Sequence, residues 1–185
     1  PVQRGAGRAE GLAFAGTYAA ERHPRRREQL ELLLAPAAGL GLHIYPRMSD
    51  GDSRYRFPRE YQPYLVGSLS YPQMLATYSS YRVFLNVNAV PESATACPRQ
   101  LFELVAAQTV VVSAPAASIE PFFGETVRVV RDGEESRREL TALVKLSGST
   151  LAELRGIATR SAAELLVEVG DPRRFTEGGF ARFNG

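Results

Sequence analysis

The feature that most constrains the fold is an alternation. Six short apolar runs, rich in β-branched and aromatic residues, are separated by stretches with helical spacing or helix-capping signals. The runs are Leu12 to Ala15, Leu40 to Tyr45, Tyr61 to Val66, Tyr81 to Val87, Thr109 to Ser113 and Thr126 to Val130. Strands separated by helices pair in parallel and are covered by helices on both faces. Right-handed crossovers then favour a doubly wound, Rossmann-like α/β domain with six strands in the order 3-2-1-4-5-6. In that order a ligand crevice opens at the carboxyl ends of the first and fourth strands. Two loops meet there, Gly16 to Arg22 and Asn86 to Arg99.

The helices carry their own signals. Pro24 to Leu34 has proline in its first turn and Leu30, Leu33 and Leu34 on one side. Tyr71 to Ser79 is a short helix, Pro98 to Ala107 another, and a brief one surrounds Ile119 to Phe123. Asp132 with Glu135 marks an N-terminal cap for a helix reaching Leu146, and Thr150 with Glu153 repeats the signal. Residues 46–60 form a polar loop.

With 185 residues the chain suits one domain with a real core. We expect that domain over residues 12–170, after a Gly/Ala/Arg-rich linker at 1–11 and before a tail at 171–185. Gly5-Ala6-Gly7 precedes the first strand, so it is not a dinucleotide loop, which must follow one. The single cysteine, Cys97, excludes an internal disulfide, and no Cys/His spacing predicts a metal site. A net charge of +2 does not predict a nucleic-acid partner. No run is long enough to span a bilayer and no export signal opens the chain, so the expected compartment is cytoplasmic.

Several residues carry chemistry. Arg25, Arg26 and Arg27 lie at a helix start, where cations oppose the dipole. They form either a solvated first turn or an anion-facing one. The helix opening near Pro98 offers free backbone N–H groups to an anion such as a diphosphate, with Ser93 and Thr95 as hydroxyl donors. Arg99 and Glu103 share one face of it, opposite Leu101, Phe102, Leu104 and Val105. They are either an ordinary ion pair or a cation with a carboxylate for ribose hydroxyls. Most of the tyrosines between residues 45 and 81 are expected to pack the sheet edge. His43 in its strand reads as structural, and Cys97 has no histidine beside it in sequence.

A set of blocks stands in register over about residues 12–130. They include Phe14-Ala-Gly16-Thr17-Tyr18 with Arg22, Leu42 to Tyr45 with Arg47, and Val66-Gly67-Ser68-Leu69 with Tyr71. Further on are Leu85-Asn86-Val87-Asn88, Ser93 with Thr95, and Arg99 with Phe102-Glu103. Together they resemble the spore-maturation-protein-like branch of the group 1 glycosyltransferases, which have the GT-B fold. The resemblance implies a C-terminal donor-binding half for a nucleoside-diphosphate sugar, with the acceptor-binding domain absent from this chain. It implies no cofactor beyond that donor substrate and no metal. Gly16 and Thr17 would approach the donor phosphates or the interdomain cleft, and Arg22 and Asn86 would belong to the same nucleotide-sugar site. Gly67, Ser68 and Leu69 would hold the base, with Tyr71 walling it. Ser93, Thr95 and Arg99 would meet the diphosphate, and Glu103 the ribose.

Two positions depart from the family pattern. Thr95 stands where retaining members often have an acid, and Gln108 where glycine is usual at a left-handed helix end. They motivate the alternative of a degenerate, non-catalytic interaction module. A different strand order would favour an unrelated α/β domain.

Overall fold

The computed structural model describes residues 9–18, 24–47 and 55–147. Arg22, the helix expected after Thr150 and the tail at 171–185 lie outside the described residues, as does most of the linker.

The described elements alternate as expected. They are β1 (Ala9–Gly16), α1 (Pro24–Ala37), β2 (Leu42–Pro46), α2 (Tyr71–Ser80), β3 (Tyr81–Asn86), α3 (Arg99–Ala106), β4 (Val110–Ser113), α4 (Ile119–Phe123), β5 (Val127–Val129) and α5 (Gly133–Ser147). All strand pairs are parallel, and the sheet order is β2-β1-β3-β4-β5. β1 begins at Ala9, inside the segment read as linker.

Six strands are expected and five are present among the described residues. The run read as a third strand is a 3-10 helix over Arg59–Tyr64. Pro63 lies within it, and a proline cannot donate to a strand ladder. Only Leu65 reaches the sheet, in a single parallel bridge to Ile44, and the Val66 amide donates to the Ile44 carbonyl at 3.0 Å. That bridge lies on the outer side of β2, since the other side pairs with β1. The chain therefore passes through the place of the expected third strand without building it.

Strand alternation feeds two cores, one on each face. Leu12 and Phe14 of β1, Val83 and Leu85 of β3 and Val112 of β4 pack with Leu30, Leu33 and Leu34 of α1 and Leu140 and Leu143 of α5. Ala13, Ala15, Phe84 and Val111 pack on the other face with Met74 and Tyr78 of α2, Leu101 and Leu104 of α3 and Ile119 of α4. A sheet buried on both sides explains the near-continuous apolar runs. Phe102, expected on the buried side of α3, is 47% exposed and meets Phe122 and Phe123 of α4.

Of the two capping signals read from the sequence, the one at Asp132 is present, the one at Thr150 lies outside the described residues, and a further cap stands at Ser70. The Asp132 carboxylate accepts from the amides of Glu134 and Glu135 at 2.9 and 2.8 Å, opening α5. Ser70 and Gln73 form a capping box at α2.

Candidate functional site

β1 is flanked by β2 on one side and β3 on the other, so successive crossovers leave it in opposite directions. At this switch point a cleft of about 480 Å³ opens at the carboxyl ends of the strands. Gly16 and Thr17 from β1, Arg47 after β2, Asn86 and Val87 from β3, and Pro98, Arg99, Gln100 and Glu103 from the start of α3 line it. Arg26 of α1 closes one wall.

At the α3 side, Glu103 is the anchor. Its Oε1 pairs with the Arg99 Nε at 3.0 Å and accepts from the Tyr71 hydroxyl at 2.8 Å. The Arg99 guanidinium also lies 4.7 Å from the centre of the Tyr71 ring. The Glu103 side chain is 15% exposed, whereas that of Arg99 is 71% exposed. The carboxylate is thus held half inside the cleft by two partners on its rim. Donating this bond to Glu103 holds the Tyr71 phenol above its ordinary pKa, and desolvation adds to the rise. Beneath them, the buried hydroxyl of Tyr78 makes no well-formed hydrogen bond although Arg47 and Glu103 are near it. Burial foremost pushes its pKa up to about 12; the Arg47 charge opposes this and the Glu103 charge adds to it. No side chain caps the N-terminus of α3, and Pro98 there has no N–H of its own.

At the α1 side, Gly16 permits a close approach. A Cβ on it would stand 2.8 Å from the ring of Phe14 and 3.2 Å from Arg26 Nη2. Arg26 donates from Nε to the Thr17 carbonyl at 3.2 Å. Its pKa is lowered, first by burial and then by the like charge of Arg47. The basic cluster therefore divides: Arg25 is exposed and pairs with Glu92, while Arg26 faces the cleft.

A buried polar network lies behind both walls. The Gln29 side chain accepts from the Asn88 amide at 2.7 Å and donates to the Pro115 carbonyl at 3.1 Å. Asn86 donates to Asn88 Oδ1 at 3.2 Å and to Ser113 Oγ at 2.9 Å. Asn88 donates to the Ala114 carbonyl at 3.0 Å. These bonds tie α1 to the turns after β3 and β4.

The residues singled out from sequence therefore separate into groups. Gly16, Thr17, Asn86, Arg99 and Glu103 line one cleft, and Tyr71 borders it through Glu103. Both amide hydrogens of Asn86 face the buried network, so its side chain supports the wall. Gly67, Ser68 and Leu69 do not line it; Ser68 donates to the Pro46 carbonyl at 3.0 Å, and Leu69 packs beside the second core. Ser93 and Thr95 do not line it either. The Ser93 hydroxyl accepts from the Ala96 amide at 3.1 Å, closing a local turn, and Thr95 is exposed. The Cys97 thiol is pushed up by burial, against a hydrogen bond from Ser118, which is opposite to an activated nucleophile. His43 meets the Tyr81 hydroxyl, which also bonds Tyr45 at 2.8 Å, a packed network away from the cleft. Among the described residues no three His, Cys, Asp or Glu side chains gather as metal ligands, and no helix is long and apolar enough to cross a membrane.

Arg26, Arg47, Gln29 and Tyr78 are absent from the sequence-derived site. Arg26 was legible: it lies four residues before Leu30 in a helix whose buried stripe continues through Leu33 and Leu34. Arg27 has a similar spacing to Leu30 and Leu34, yet it is exposed, as is Arg25, and only Arg26 of the three is half-buried.

The profile of a family described as glycosyl transferase-like matches residues 22–167. One solved structure, the glycotransferase of kitacinnamycin, aligns at 20% identity with a TM-score of 0.41, covering 90% of this chain. The chain spans only 44% of that protein's length. No curated protein matches the chain.

Proposed function

Since this chain belongs to the glycosyl transferase-like family, we propose that it is the donor-binding half of a GT-B glycosyltransferase and takes a nucleoside-diphosphate sugar. The observation that carries the reading is Glu103, held by Tyr71 and Arg99 at the lip of the switch-point cleft beside the uncapped start of α3. A carboxylate so placed can accept from both hydroxyls of a ribose, and Oε2 is the oxygen we assign to them. The adjacent backbone amides and cationic wall suit the diphosphate. Tyr71, half-exposed, is a ring on which the base can stack.

The chemistry follows from that pose. The bond between the sugar's anomeric carbon and the β-phosphate oxygen breaks, and the acceptor oxygen bonds to that carbon. The acceptor proton passes to a base. Negative charge grows on the departing diphosphate, where preorganised cations and amide dipoles act most strongly. The base and the acceptor site belong, in this reading, to a second domain. The isolated chain then binds donor nucleotide but turns over poorly.

Calorimetric titration of the folded chain with uridine and guanosine diphosphates tests the reading. Binding of one of them, weakened by Glu103→Gln, supports it. A folded chain that binds neither at millimolar concentration refutes it.

A further inference from the structure

We propose that Arg26 and Arg47, standing either side of the Gly16–Thr17 backbone, form the clamp that receives the pyrophosphate, while Arg99 serves as a positioning residue for Glu103 and Tyr71. The inference rests on the donor-site reading and changes which cations do the work.

Arg99 has two partners already. Its charge is answered by Glu103, and its guanidinium is stacked on Tyr71. Turning it toward a phosphate would release both. Arg26 and Arg47 are in the opposite condition. Each is fastened by its neighbours to the end of β1: Arg26 through its bond to the Thr17 carbonyl, and Arg47 through its own amide, which donates to the Gly16 carbonyl at 2.9 Å. The Thr17 hydroxyl closes the same arrangement on the Arg47 carbonyl at 3.4 Å. Both line the cleft. Among the described residues neither forms an ion pair with a carboxylate.

Arg26 is half-buried and Arg47 exposed where they line the cleft, and the like charge of Arg47 works against the charged form of Arg26, whose hydration burial has already weakened. Folding does not require such an arrangement. A dianionic group bridging them removes the repulsion and adds charge-assisted hydrogen bonds of the bidentate kind that guanidinium favours. Gly16 fits the same purpose, because any larger residue would collide with Phe14 and push against Arg26.

Inorganic pyrophosphate is the probe, since it needs no base or sugar. Calorimetry on the 185-residue chain is expected to show binding that Arg26→Gln and Arg47→Gln each weaken about tenfold or more, the range for a charge-assisted hydrogen bond. Arg26→Lys keeps most of the affinity, and Arg99→Gln changes it by less than about twofold. In ligand-free thermal unfolding the two glutamine variants melt no lower than the unmodified chain, because like-charge repulsion has been removed. Unchanged pyrophosphate affinity in Arg26→Gln and Arg47→Gln would overturn the clamp. So would a loss as large in Arg99→Gln, or absence of pyrophosphate binding to the unmodified chain. Uridine and guanosine diphosphates titrated in parallel separate the two claims. Arginine-dependent pyrophosphate binding without nucleotide binding leaves the clamp standing and the donor reading refuted.

Discussion

The hydroxyl of Tyr71, the first residue of α2, donates to Oε1 of Glu103 in the middle of α3 at 2.8 Å. Two helices that pack against the same face of the sheet are thereby joined at their cleft-facing rim. The bond is exposed, so its value lies in aiming the carboxylate and not in stability.

Tyr71→Phe is accordingly expected to leave unfolding within about 0.5 kcal/mol of the unmodified chain while weakening nucleotide binding several-fold. Glu103→Gln keeps the side-chain shape but loses the ionised acceptor, and is expected to weaken nucleoside and nucleoside diphosphate alike. Thermal unfolding and calorimetry on the same samples check both outcomes.

Gly16→Ala places a methyl group 2.8 Å from the buried ring of Phe14 and 3.2 Å from Arg26. Overpacking of this kind costs about 1–3 kcal/mol. We expect a lower denaturant midpoint together with loss of pyrophosphate binding, since Arg26 must move. A variant with unchanged midpoint and unchanged binding contradicts the close approach seen here.

Gln29→Leu removes an acceptor from the buried Asn88 amide and a donor from the Pro115 carbonyl. Leaving a buried polar group unpaired costs about 1–3 kcal/mol each. Urea unfolding is expected to show a loss of at least about 2 kcal/mol on that basis. A loss below about 0.5 kcal/mol would mean that water replaces Gln29 in the network.

Gln108 has φ +56°, the one non-glycine residue with positive φ among the described residues. The left-handed conformation costs a side-chain-bearing residue about 1–2 kcal/mol, partly offset in glycine by its greater unfolded freedom. Gln108→Gly is expected to raise stability by up to about 1 kcal/mol, with the denaturant midpoint as the measure.

Alkaline pH tests the Tyr18–Glu31 contact. The Tyr18 hydroxyl donates to Glu31 at 2.9 Å, and burial foremost, then that bond, pushes its pKa from 10.0 up to about 12. The unfolded chain loses this proton first, so folding stability is whole below pH 10 and declines as pH rises toward about 12. Tyr78, also raised to about 12, adds to the same decline. Tyr18→Phe is expected to make the decline shallower in stability-against-pH curves; an unchanged slope refutes the assignment.

The alternation of strands and helices was legible because it depends on local periodicity and capping, which neighbouring residues determine. Asp132 with Glu135 announced α5, and Gln108 was marked as a left-handed position before its φ was known. Pro63, inside the run read as a third strand, is a local signal against a strand, because proline cannot donate to its ladder. Ser93 and Thr95 were assigned to the diphosphate because their loop is at the switch point. A loop's position does not say where a hydroxyl points, and Ser93 turns back to its own backbone.

What the sequence determined by itself is the parallel α/β architecture and the end of the sheet at which a cleft opens, since both follow from the order of elements and the handedness of their connections. Only the tertiary structure decided which charges meet. Arg26 and Arg47 come from different elements and converge because β1 and β2 are adjacent, while Arg99 is drawn to Glu103 and Tyr71 on the other wall. Electrostatic pairing depends on distances of a few ångströms between residues far apart in the chain, and no local pattern encodes those distances.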